Sequence, residues 1–157
     1  MKTIKVKDIM TPEPLMVQSS MTVRDAAKRM KEIDCGVLPV GDANNVLGMI
    51  TDRDIILRVT VEGKDPAKTQ VQEVMTEKVY ACDEDDDIED AAEKMRKYDV
   101  ARLVVTKGKK ATGIVSMTCL LRAHGDRHKG DKVLHQLVKP QVCSMQKPKT
   151  VAGSCCD

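Results

Sequence analysis

Four consecutive residues, Thr51-Asp52-Arg53-Asp54, carry the densest chemistry in the chain. A hydroxyl followed three residues on by a carboxylate is a helix-start pattern. Thr51 caps a free backbone N–H, and Asp54 favours the positive end of the helix dipole. The same arrangement is open to a ligand. Free amides beside a hydroxyl take a phosphate, and a carboxylate one turn in accepts two hydrogen bonds from a sugar diol. Cap and anion site share one geometry, so both readings stand. Arg53 reaches toward the same anion or points into solvent.

Other groups invite chemistry less convincingly. The run Asp83-Glu84-Asp85-Asp86-Asp87, with Glu89 and Asp90, suggests Ca²⁺ or Mg²⁺. It lacks the alternating ligands and glycine of a calcium loop, and it precedes a helix whose dipole it offsets. His124, His128, His135, Cys119, Cys143, Cys155 and Cys156 offer donors that zinc prefers. Gly125 breaks the helical spacing of the first two, and Cys155-Cys156 lies in a Gly/Ser tail. Lys107-Gly108-Lys109-Lys110 falls at a hairpin turn and reads as solvated. No Ser/His/Asp set, acid–base pair or P-loop emerges, so catalysis has no support.

The elements that position these groups come from an aliphatic chain. Of 157 residues, 41% are hydrophobic and 32% charged, and Tyr80 and Tyr98 are the only aromatics. The core must be Val, Ile, Leu, Ala and an adaptable set of ten Met. So few rings argue against single-stranded nucleic acid as a partner, and they leave no platform on which a base could stack. The net charge of +2 is too small to dictate a polyanionic partner, although residues 120–157 carry seven Lys and Arg against three Asp. No apolar run approaches a membrane span, and the N-terminus has no signal-peptide pattern. A cytoplasmic protein with reduced cysteines is expected.

A shift of 65 residues lays the chain over itself. It matches Val6, Met10, Thr11, Asp25-Ala26-Ala27, Met30, Asp34, Leu38, Val40 and Gly48 to identical residues, without a gap. Two copies of one unit follow. In the first, Thr22 caps a helix whose apolar face is Val23, Ala26, Ala27, Met30 and Ile33. Gly36–Val40 and Val46–Ile50 form a hairpin, Thr51 opens another helix, and Leu15–Val17 is a short extended piece. The fold class is α/β (α+β): two β-α-β-β-α repeats, 1–64 and 65–124, packed as a pseudo-twofold pair with clefts between them. Residues 125–157 read as a C-terminal helix and a flexible basic tail.

These landmarks resemble a CBS domain. Val6-Lys7-Asp8-Ile9-Met10-Thr11, Gly36-Val37-Leu38-Pro39-Val40 and Gly48-Met49-Ile50-Thr51-Asp52-Arg53-Asp54 carry the likeness. In the second copy Val71–Thr76, Arg102–Val105 and Gly113–Ser116 carry it. The tail, with Val133-Leu134-His135-Gln136-Leu137-Val138, is similar to stand-alone pairs of the hypoxic-response type. The resemblance implies a Bateman module, commonly a homodimer, that binds AMP, ATP or S-adenosylmethionine and is not an enzyme. By the same resemblance Thr51 contacts phosphate and Asp54 ribose, and Met16, Val17, Gly36, Val37 and Pro39 hold adenine. Arg102 occupies the repeat position of Val37, where a core residue is expected. It reads as a phosphate ligand reaching across from the second copy or as half of a salt bridge. Cys119 replaces the carboxylate in the second copy, which implies one ligand per chain. The rivals are a metal- or redox-responsive stress protein and a structural dimer with empty clefts.

Overall fold

The computed structural model describes residues 3–127. Each copy is built on an amphipathic helix and a β-hairpin. Helix α2 (Val23–Ile33) starts where the Thr22 hydroxyl accepts the Asp25 N–H, and it buries Val23, Ala26, Met30 and Ile33. It packs on the antiparallel pair β2 (Val37–Asp42) and β3 (Asn45–Thr51). Its counterpart α5 (Ile88–Tyr98) covers β5 (Arg102–Lys107) and β6 (Lys110–Ser116) in the same way. Both helices end on an aspartate in the left-handed region, Asp34 at φ 54° and Asp99 at φ 52°.

Three local expectations change. The extended piece at Leu15–Val17 reduces to a single bridge from Val17 to Val40, whereas its counterpart β4 (Ala81–Asp83) pairs in parallel with β5. Helix α3 (Asp52–Ile55) passes into a π-helical turn over Ile56–Thr60. Helix α6 runs from Met117 through Gly125 to Arg127, so that glycine does not stop it. The expected helix near residues 131–138 and the basic tail lie outside the described residues.

The lead-in of each copy packs on the other copy. Helix α1 (Val6–Ile9) donates the Val6 N–H to Asp86 O at 2.9 Å, and β1 (Thr11–Pro12) pairs with β6. The matching α4 (Val71–Val74) donates the Val71 N–H to Met21 O at 2.9 Å, and Thr76 bridges Met49 on β3. Val6 is therefore fully buried among Ile88, Leu103 and Val115, while Val71 and Val74 complete the core of Leu38, Val40 and Ile50. The sequence repeat and the packing unit are offset by one exchanged segment. Four strands form the sheet β1-β6-β5-β4, and β2-β3 stands as a second sheet.

The acidic run anchors this exchange. Lys5 pairs with Asp87 and Lys7 with Asp85 from the lead-in, Lys94 with Asp86 from α5, and Lys107 with Glu84 from β5. Lys107 is thus not simply solvated. The hydrogen bond from Lys94 holds the Asp86 carboxyl below its ordinary value, and that from Lys7 does the same for Asp85. A carboxyl more acidic when folded contributes stability that is complete above its unfolded pKa of about 4 and is lost as pH falls through the folded value. Acid is therefore expected to loosen the lead-in from the second copy below about pH 4. Melting temperature followed against pH checks this, with Asp85→Asn, which removes the partner of Lys7, expected to flatten the acid limb. An unchanged acid limb would show that the run contributes nothing there.

Candidate functional site

Strand β3 ends and α3 begins at Thr51, whose extended backbone (φ −118°) turns the chain into the helix. The Asp54 N–H donates to Thr51 Oγ1, and the Thr51 N–H donates to Asp54 Oδ2, both at 3.1 Å. The expected capping box is present. The carboxylate is not an exposed cap, however: its side chain is 12% exposed. Thr76 Oγ1 donates to Asp54 Oδ1 at 3.4 Å, and Arg58 Nη2 lies 3.7 Å from the same oxygen. Arg58 Nη1 also donates to Val74 O at 2.8 Å and Met75 O at 2.9 Å. Asp54 thus ties its own helix to the exchanged segment while keeping acceptor lone pairs for a ligand.

The fold gathers most of the sequence candidates at this end of the hairpin. Gly36 O accepts the Asp52 N–H at 3.0 Å, and buried Val37 stands opposite Thr51. Pro39 is buried and accepts the Val17 N–H at 3.0 Å. Arg53 is exposed. Met16 lies apart, lining a cleft of about 470 Å³ between the copies with Pro12, Glu13, Pro14, Ala43 and Thr112. Arg102 departs from expectation. It is exposed rather than core, and it stands opposite Ser116 beside the second helix start. No described contact joins it to Thr51 or Asp54, because β5 opens at its own hairpin's end and not at that of the first copy.

The second copy repeats the cap without the charge. The Cys119 N–H donates to Ser116 Oγ at 3.3 Å, and Ala123 takes the place of Arg58. Burial pushes the Cys82 thiol up to about 11, so little of it is thiolate at neutral pH. Arg58 and Thr76 were not among the sequence candidates. The spacing of Arg58 four residues after Asp54 was the available signal, whereas Thr76 needed the fold. The two tyrosines meet in the second copy, where Tyr80 and Tyr98 stack on each other with centroids 4.2 Å apart.

Comparison with known proteins agrees with this architecture. The CBS domain family matches residues 6–60 and 71–126. Hypoxic response protein 1 of Mycobacterium tuberculosis is 32% identical over 139 residues, covering 88% of this chain and 93% of that protein. The crystal structure of Hypoxic Response Protein I with two coordinated zinc ions superposes with a TM-score of 0.67 at 31% identity, over 76% of this chain and 98% of that one. A CBS domain pair in complex with 5′-methylthioadenosine and S-adenosyl-L-methionine gives a TM-score of 0.71 at 27% identity, over 80% of this chain and 99% of that one. The chain belongs to the CBS domain family, as a tandem pair of mixed α/β repeats.

Proposed function

We propose that this chain is a regulatory, non-enzymatic module that binds an adenine nucleotide (AMP or ATP) or a related adenosyl ligand at the Thr51–Asp54 helix start. The observation that carries the reading is the hydroxyl–carboxylate box at the head of α3, with Gly36 and Val37 beside it. A phosphate accepts from the Thr51 hydroxyl there, at the positive end of the helix, while the amides of Asp52, Arg53 and Asp54 stay bonded to Gly36 O, Asp52 Oδ1 and Thr51 Oγ1, and Asp54 takes the ribose diol. Val17, Val37 and Pro39 supply the aliphatic wall for the base, with Arg53 toward the phosphate, and Met16, which lines the other cleft, takes no part. The related pair solved with two adenosyl compounds supports the ligand class. Because Asp54 also holds Thr76 and Arg58, ligand contact at this carboxylate bears on the exchanged segment, which is a route from binding to a change of shape.

Calorimetric titration with AMP, ATP and S-adenosylmethionine tests the reading. Asp54→Ala is expected to weaken binding about tenfold or more, since hydrogen bonds to a charged group are lost. The same change is expected to cost about 1–3 kcal/mol of stability through the contacts to Thr76 and Arg58. Unchanged affinity in the mutant would remove Asp54 from the site. A wild-type protein that binds none of the three would favour the structural rival.

We further propose a homodimer. Ile56 is 56% exposed and its repeat equivalent Leu121 is 41% exposed, so both copies offer apolar side chains on corresponding helices. Sedimentation equilibrium should give twice the chain mass, and Ile56→Glu should halve it; a monomeric wild type would sink the idea. The metal-responsive alternative draws on the relative with two zinc ions. Metal analysis of untagged protein decides it, since His128, His135, Cys143, Cys155 and Cys156 lie outside the described residues.

A further inference from the structure

The first lead-in is held by the second copy. The Lys7 N–H donates to Glu84 O at 3.0 Å, the Ile88 N–H donates to Ile4 O at 3.2 Å, and the Glu13 N–H donates to Thr112 O at 3.0 Å. Ile4, Ile9 and Met10 pack beside Val6 on the second core. Among the described residues, none from 4 to 13 joins the first core, which the chain reaches only at Leu15. Glu13 and Pro14 are therefore the tether between this arm and the first copy. A cleft of about 470 Å³ opens beside them, toward Ala43 at the turn of the first hairpin.

The tether is bent against its own preference. Glu13 has φ 47° and sits between Pro12 and Pro14. A side chain with a Cβ is strained in that left-handed region, and a proline pushes the residue before it toward extended backbone. The repeat does not require the bend. Lys78, at the matching position, lies between Glu77 and Val79 and has no positive φ. The other two non-glycine residues of positive φ, Asp34 and Asp99, match each other at the helix ends. What the bend at Glu13 does is return the arm to the second copy of its own chain.

We propose that a second chain of the same sequence can receive this arm, so that two chains trade residues 3–13 reciprocally about a twofold axis. Each second core is then closed by the same side chains and backbone bonds, drawn from the other chain. The contacts are equal in the two forms, and the traded form lets Glu13 straighten. Joining two chains opposes it, so concentration favours the traded pair. The arm leaves only when the second core opens, so the forms interconvert slowly once folded. This contact is separate from the helix faces that carry Ile56 and Leu121, and neither reading depends on the other.

The test starts from Ile56→Glu protein, which removes any dimer made through the helix faces, unfolded in urea and refolded over a range of concentrations. Sedimentation should show twice the chain mass only after refolding at high concentration, and that species should survive dilution. Glu13→Gly, with a residue at ease at positive φ, should lower its yield about tenfold or more. Trading is read directly with two further variants. An isotopically labelled Val6→Asp chain has a spoiled arm and a sound second core, and an unlabelled Leu103→Asp chain has the reverse. Refolded together, they should slow alkylation of Cys82 in the labelled chain about tenfold or more, because that thiol is buried only in a closed core. Unlabelled Val6→Asp in place of the second chain should give no protection. The proposal is overturned by Cys82 as reactive in the mixture as alone, by a monomer at every refolding concentration up to millimolar, or by a doubled mass whose yield Glu13→Gly leaves unchanged.

Discussion

With Val6 replaced by aspartate, the second copy is expected to lose its protection against hydrogen exchange while the first copy retains most of its own. Val6 is fully buried beside Ile88, Leu103 and Val115, at the far end of the sequence from its neighbours. A carboxylate there has no partner and no water, a defect that costs about 4 kcal/mol or more. A domain of this kind has roughly 5–15 kcal/mol in total, so such a loss is decisive. Labelling of the Cys82 thiol, buried in the same core, reports the event directly. The mirror substitution Val71→Asp should open the first copy instead. Loss of protection in the first copy alone with Val6→Asp would contradict the exchanged packing.

The second large effect concerns two glycines. A Cβ on Gly113 would stand 2.8 Å from Thr11 O and 2.5 Å from Met10 Sδ, and one on Gly48 would stand 2.7 Å from Thr76 O and 3.1 Å from Met75 Sδ. The methionine side chain can move, but the backbone oxygen of the paired segment cannot move without breaking the pairing. Each Gly→Ala change is expected to cost about 1–3 kcal/mol as overpacking. For a chain of this size that corresponds to a melting temperature lower by roughly 2–10 °C. The two should differ in function. Gly48→Ala displaces Thr76, which holds Asp54, and so should weaken ligand binding at α3; Gly113→Ala should leave that affinity intact. Melting curves within a degree of wild type would show that the exchanged segments have room to spare.

The regular parts of this fold were legible in the sequence for local reasons. The Thr22 cap, the apolar stripe of α2 and the β2–β3 hairpin rest on contacts between residues a few positions apart, and the repeat carried them to the second copy. The box at Thr51 and Asp54 was legible for the same reason. What the pattern could not reveal was which copy receives each lead-in. Val6 and Val71 match each other equally well whether each packs at home or away. The near-burial of Asp54 followed from that exchange, since Thr76 and Arg58's carbonyl partners arrive with it. Arg102 escaped because its repeat partner Val37 is buried, and burial was carried across a position where the two copies diverge. That Tyr80 and Tyr98 stack was not legible, because their meeting depends on where α5 ends relative to β4.

The exchange also sets an order of events during synthesis. The first copy's core closes only when Val71 and Val74 have emerged, soon after its own helix and hairpin. The second core needs Val6, which is made long before Leu103 and Val115 and must wait for them. Until then the N-terminal segment has no strand to join, and the edge of β6 that it will cover does not yet exist. Contacts of such long sequence separation form slowly. The nascent chain therefore carries Val6 unburied from its own synthesis until Val115 has emerged, and that interval is when a ribosome-bound chaperone has most to shield.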